Sequence, residues 1–432
     1  MERRPLSAVR SVEEHRAAVE ALLEPLARSR VAEALPVSPA AMAAAPDRYR
    51  ARVLVDDLRS PSDLPPFDNS QMDGYAVRAA DLTGAAPDAP LRLPLAPQIN
   101  AGDAAPPLAP GVAAAVMTGA PIPSGADAVV PIEHVEPPRF STAGAPVDEV
   151  AFAAAPHPEA FVRRAGSDVR AGDVLLAAGT PLAAAQYGVI AGTGLREIAV
   201  LRRTRVLVVP TGHEIREPGS RLEPGQIYDS NGALLASALL DAGCTVAVKP
   251  CRSDDAERLL AILTEHAAEV DLLITVGGVS AGAREVVRDA LAPLGVQFGS
   301  VAMQPGGPQG IGAIAAADRD ERLPVVSFPG NPVSALVSFE LFLRPILRRL
   351  AGAARPERPV VHAPLAAAVD SPAAKHQIRR GRLDDDGAIE LVGGASSHLL
   401  HSYANSSLLV HLPVGLERAG AGDRVEAWRI DD

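Results

Sequence analysis

From Arg205 onward, short apolar runs alternate with amphipathic helical stretches, and this alternation limits the fold more than any other feature. The run 206–209 reads as a buried strand ending in Pro210-Thr211-Gly212-His213-Glu214. Tyr228-Asp229-Ser230-Asn231 then caps a helix that stops at Gly243, and 244–248 returns as a strand. Asp254, with Glu257 three residues on, opens a second capped helix, after which 271–276 runs as a strand into Gly277-Gly278-Val279-Ser280. Such an order requires a parallel sheet with right-handed crossovers. Ligands of open α/β sheets sit beyond the carboxyl ends of the strands. Thr211-Gly212-His213-Glu214, Gly277-Gly278-Val279-Ser280 and Phe328-Pro329-Gly330-Asn331-Pro332 all fall there. Their N–H groups, backed by helix N-termini, predict one anion-binding rim. A long apolar-faced helix follows from Pro332 to Gly352, with Pro345 expected to kink or divide it.

The rest of the 432-residue chain leaves room for further domains, about three in all by length. Ser11 and Glu14 form a capping box that opens a scaffold helix with Val12, Val19, Leu22, Leu23 and Leu26 on one stripe. A Pro/Gly-rich region of short apolar runs, about 75–161, reads as a small β domain, and 162–198 returns to the scaffold. Residues 358–432 read as a final small β domain carrying the polar cluster Ser396-Ser397-His398.

Between scaffold and β domain, Pro65-Pro66-Phe67-Asp68-Asn69-Ser70-Gln71-Met72-Asp73-Gly74-Tyr75 gathers acids, amides and a hydroxyl in a chain poor in them. Asp-Gly predicts a turn with Gly74 at positive φ. Read alone, the stretch serves equally as a well-capped surface turn or as part of a site. Met117-Thr118-Gly119-Ala120-Pro121 places another hydroxyl beside a glycine at a strand end.

Aromatic residues make up only 3%, so the cores must rest on Ala, Val and Leu. Acidic residues outnumber basic ones, 52 to 41, and no basic run suggests a nucleic-acid groove. Cys244 and Cys251 are too few for a disulfide framework and suit core packing in a reducing compartment. No run of about 18 apolar residues is free of charge or proline, so a cytoplasmic protein without membrane insertion is expected.

In order and in spacing, the 67–75 stretch, Met117-Thr118-Gly119-Ala120-Pro121, Gly277-Gly278-Val279-Ser280 and Pro329-Gly330-Asn331-Pro332 resemble the molybdopterin molybdenumtransferase family, that of MoeA and the E domain of gephyrin. The resemblance implies an α/β plus β protein of four domains. These are a discontinuous scaffold (1–64 and 162–198), a small β domain (65–161), a MogA-like parallel α/β domain (199–354) and a C-terminal β domain (355–432). It also implies an elongated homodimer, and insertion of molybdate into adenylylated molybdopterin with Mg2+ and release of AMP. By the same resemblance Asp73, Thr118, Asp168, Glu214, Asp254 and Glu285 are catalytic, with Asp73, Glu214 and Glu285 toward the metal. Gly277, Gly278, Ser280, Gln304, Pro329, Gly330, Asn331, Pro332 and Ser397 bind substrate.

Departures from the family cluster on the cationic side. Where the family carries lysines, this chain has Ser300, Gln304 and Gly307; His213 stands for an aspartate, Glu285 for a shorter acid and Ala115 for an arginine. Loss of charge-assisted hydrogen bonds should weaken oxyanion binding unless Arg284 or Arg288 restores charge. The resemblance therefore carries an alternative: a catalytically weakened, gephyrin-like scaffold for a peptide of a cytoskeletal or division protein such as FtsZ.

Overall fold

A computed structural model describes residues 9–29, 31–280, 285–316 and 320–431. They fall into two compact units, one of Ala34–Arg50 and Asp56–Ala199, the other of Met1–Glu33, Ala51–Val55 and Val200–Asp432.

The first unit holds the expected β structure. Its six-stranded sheet runs in the order Ala128–Pro131, Gly74–Val77, Ala113–Val116, Leu91–Ile99, Glu149–Phe152, Val135–Glu136. Gly74–Val77 is paired antiparallel on both sides and buried on both faces. Alternation sends Tyr75 and Val77 toward Leu82 and Phe152, and Ala76 toward Ile99 and Val116. Gly74 departs from the sequence reading, because its φ is not left-handed. The glycine is needed for contact: a Cβ there would lie 2.2 Å from the Val130 carbonyl oxygen on the neighbouring strand.

The second unit is built on a six-stranded sheet ordered Thr245–Val248, Arg205–Pro210, Leu272–Val276, Leu323–Phe328, Pro308–Ile314, Gln297–Ser300. The first four strands are parallel, as the alternation requires. The last two pairings are antiparallel and make the sheet mixed. Helix Ala256–His266 is capped by Asp255, whose side chain accepts the Glu257 N–H, and not by Asp254 as the spacing predicts. That one-residue shift leaves the Asp254 carboxylate free to turn elsewhere. The long C-terminal helix breaks as Pro332–Ser338, a π-helical turn Phe339–Leu343 and Arg344–Leu350. Pro345 lacks an N–H and crowds the preceding turn, and the widened turn accommodates it.

Helix Val12–Arg28 has both halves of its Ser11/Glu14 capping box in place. Its Val12, Val19 and Leu23 share one core with Phe328, Phe339 and Phe342 of the α/β layer. Both cysteines are buried, and burial pushes the Cys244 thiol up to about 12, which suits packing rather than chemistry. A second sheet runs Met303–Gln304, His376–Leu383, Leu408–Leu412, Arg424–Arg429, Val360–Pro364. Its first strand leaves the α/β hairpin and pairs parallel with the next, Met303 opposite His376 and Gln304 opposite Gln377. This short pairing carries residues near 375 to the α/β rim. Among the described residues no helix is long and apolar enough to cross a membrane.

Candidate active site

All three strand-end loops converge. Thr211 to Glu214, Gly277 to Ser280 and Pro329 to Pro332 line one cleft of about 1200 Å3, together with the turn from Gln304 to Gly307 and with Ser397. Glycine is obligatory at its centre. Gly277 takes φ +96°, and a Cβ would come 2.8 Å from the Thr211 carbonyl oxygen. The loops also brace one another. The Asn231 Nδ2 donates to the Gly330 carbonyl at 2.7 Å, and the Val333 N–H donates to the Ser397 carbonyl at 3.2 Å.

The cationic side differs from the sequence reading. Ser300, Gln304 and Gly307 do line the cleft, so the three substitutions fall on its wall. Lys375 lines it as well. It is one of only two lysines in the chain, and it sits just ahead of the strand that pairs with Met303–Gln304. Sequence reasoning missed it, because nothing near position 375 signals a pairing made about seventy residues away. Arg288 does not line the cleft. Its Nη2 donates to the Val279 carbonyl at 3.0 Å and its guanidinium lies 5.8 Å from the Phe298 ring centroid, so it secures the Gly277–Ser280 loop from behind. Arg284 lies outside the described residues. Arg380, also missed, is fully buried and donates to the Gly394 and Ser396 carbonyls, holding the loop that carries Ser397. Burial first, and Arg379 second, lower its pKa from the usual arginine range.

The acids gather at the other end. His213 Nδ1 lies 3.2 Å from Asp254 Oδ2 and 3.6 Å from Glu214 Oε2, so the residue replacing an expected aspartate bridges two carboxylates. The missing side chain at Gly212 makes room for Glu214, since a Cβ there would stand 2.6 Å from both of its carboxylate oxygens. Glu285 spends one oxygen on its own loop, where Oε2 accepts the Ser280 N–H at 3.1 Å. Among the described residues no group of three or more His, Cys, Asp or Glu is arranged as a metal cage. Mg2+ does not require one, because it keeps several waters and takes one or two carboxylates together with substrate phosphates. Glu214 and Asp254 fit that demand.

In the other unit, Asp73 Oδ1 accepts both the Thr118 N–H at 2.7 Å and the Thr118 hydroxyl at 2.8 Å. The two motifs flagged separately in the sequence thus form one exposed acid–hydroxyl pair. Around it, Ser70 and Asp68 have structural work. The Ser70 hydroxyl donates to the Met72 carbonyl, and Asp68 accepts the Ala165 N–H and pairs with Arg164. Partial burial opposes ionisation of Asp68, but that N–H and Arg164 outweigh it and lower its pKa. Asp168 is exposed on a turn whose backbone bonds to Leu64, and no hydrogen bond joins its carboxylate to Asp73 or Thr118 among the described residues.

Family models match most of the chain. Residues 10–194 match the MoeA N-terminal region (domain I and II), 207–349 the probable molybdopterin binding domain, and 362–430 the MoeA C-terminal region (domain IV). The chain is 45% identical over 387 residues to molybdopterin molybdenumtransferase 2 of Mycobacterium tuberculosis, covering 88% of this chain and 92% of that one. It is 38% identical to the molybdopterin molybdenumtransferase of Synechococcus elongatus, over 87% and 91% of the two chains. The solved molybdopterin biosynthesis MoeA protein of Pyrococcus horikoshii matches 98% of this chain and 100% of its own, with a TM-score of 0.75 at 29% identity. With relatives of this similarity along nearly its whole length, the chain belongs to the molybdopterin molybdenumtransferase (MoeA) family.

Proposed function

We propose that this chain inserts molybdate into adenylylated molybdopterin and releases AMP, completing the molybdenum cofactor. The observation that carries the reading is the polarity of one cleft. Glycine-lined strand ends, Gln304 and Lys375 offer donors at one side, and Glu214 and Asp254 offer carboxylates at another. The donors would hold molybdate and phosphate oxygens, with Lys375 supplying the charge that Ser300, Gln304 and Gly307 do not. Gly277, Gly278, Ser280, Pro329, Gly330, Asn331, Pro332 and Ser397 would shape the wall against which the substrate is oriented. Mg2+, when bound, would offset the negative charge of the phosphate and assist its departure; Glu214 and Asp254 would hold it, with Glu285 as a further acid of the same cleft. Within the other unit, Asp73 would be the acid of the acid–hydroxyl pair, its carboxylate fixed by the two hydrogen bonds from Thr118, and Asp168 would be a further acid of that unit.

The reading includes an elongated homodimer, a cytoplasmic location and the four-domain division at 64, 161, 198 and 354 given by the resemblance. Scaffolding of a division-protein peptide drew its motive from a cleft stripped of lysine, and Lys375 removes that motive. The test is cofactor formation from adenylylated molybdopterin and molybdate with Mg2+ by the purified chain. Turnover well above that of Asp73→Asn is expected. Turnover equal to that variant's would overturn the proposal.

A further inference from the structure

We infer that Gln377 is a positioning residue for the anion side of this cleft, fixing Gln304 so that it can act only as a donor. A glutamine in the place of a lysine is ambiguous, because its amide presents an acceptor oxygen as readily as an NH2 group. An outward oxygen would repel the oxyanion the cleft is read to bind. In the structure one end of that amide is engaged. Gln377 Nε2 donates to Gln304 Oε1 at 2.8 Å, which occupies the acceptor end and leaves the NH2 of Gln304 for the cleft that it lines. The parallel register sets this contact, with Gln304 opposite Gln377.

Gln377 is only 3% exposed, and its own Oε1 is buried without a hydrogen-bond partner among the described residues. It therefore occupies an apolar-favouring position at a cost and gives its one bond to Gln304. The same turn is held from its far side in the same manner. Buried Gln309 donates from Nε2 to the Gly306 carbonyl and to the Ser338 hydroxyl, both at 2.7 Å, and its Oε1 is likewise unpartnered. Two buried amides thus bracket the Gln304 to Gly307 turn, each directing donors at the turn's acceptors. The neutral residue at 304 becomes a preorganised donor and not a passive filler.

This inference rests on the proposed reading of the cleft, and calorimetric titration of molybdate into the full-length chain separates the two. The unaltered chain, Gln304→Ala, Gln377→Leu and the double variant are compared, each checked for an unchanged melting temperature. Molybdate binding by the unaltered chain is expected, with a loss of about five- to tenfold for each single variant. The double variant should bind no more weakly than Gln304→Ala alone, because Gln377 acts only through Gln304. A Gln377→Leu loss that adds in full to that of Gln304→Ala, or no loss at all, overturns the inference while leaving the functional reading intact. Absence of molybdate binding by the unaltered chain overturns the reading of the cleft, and the inference with it. Should Gln377→Leu fail to fold, the isosteric Gln377→Glu serves. Its carboxylate should draw the Gln304 NH2 inward and cut binding at least as far, and molybdate affinity equal to that of the unaltered chain would again overturn the inference.

Discussion

His15 is 2% exposed, lies edge-on to Phe342 at 4.7 Å between ring centroids, and has neither ring nitrogen hydrogen-bonded among the described residues. Burial, assisted by the nearby Arg10 charge, depresses its pKa from 6.5 to about 4. His411 is in a similar position: burial and then His376 bring it to about 3. Both are therefore neutral in the folded chain at pH values where the unfolded chain already binds a proton. Stability from each is fully present above the unfolded pKa of about 6.5 and is lost as pH falls toward the folded value. Between about pH 7 and pH 5 the loss works out at about 2 kcal/mol for each histidine. Asp271, held near 2 by Arg205 and Arg202 despite its burial, keeps its contribution throughout this window and loses it only as pH falls from about 4 toward 2, which leaves the change between pH 7 and 5 to the histidines. Urea unfolding at the two pH values measures the loss. Trp428, the only tryptophan, reports on it, since its ring lies 4.3 Å from that of His411. In His15→Leu the loss between the two pH values should shrink by about 2 kcal/mol, while stability near pH 7 holds or rises because an unpartnered polar ring has been removed. An undiminished pH dependence in His15→Leu would refute the reasoning.

Three further outcomes follow from the site and its support. Lys375→Met keeps the length of the stem and removes the charge; it should weaken molybdate binding about 10- to 30-fold by calorimetry, the exposed position holding the effect below that of a buried pair, and Lys375→Arg should recover most of it. Asp73→Asn retains an acceptor for Thr118 but loses the charge. Cofactor formation should fall on the order of a hundredfold while stability to urea changes by less than about 1 kcal/mol, so a matching collapse of stability would assign Asp73 to the fold instead. Gly74→Ala drives a methyl into the Val130 carbonyl and should cost more than about 4 kcal/mol, seen as insolubility or a melting temperature lowered by many degrees.

What the sequence disclosed and what it hid divide along a physical line. Strand-end glycines, capping boxes and the strand–helix alternation are local signals, written within about ten residues of the structure they cause, and they located the rim at Thr211, Gly277 and Pro329. The Asp255 cap shows the limit even of local signals, since two adjacent aspartates compete for one role and only the realised chain path decides between them. Lys375 and Gln377 were illegible for a different reason. Their roles arise from a two-residue parallel pairing between Met303–Gln304 and the strand beginning at His376, and a pairing that short leaves no periodicity to read. The deficit at Ser300, Gln304 and Gly307 was readable residue by residue, but its compensation was not. Charge lost from one strand can be returned by whichever strand the sheet places beside it. For this chain, the consequence is that activity cannot be judged from the missing lysines alone. The quantity that matters is the total of donors the Gln304–Gln377 register presents to the cleft, and Lys375 and the oriented Gln304 amide are both part of it.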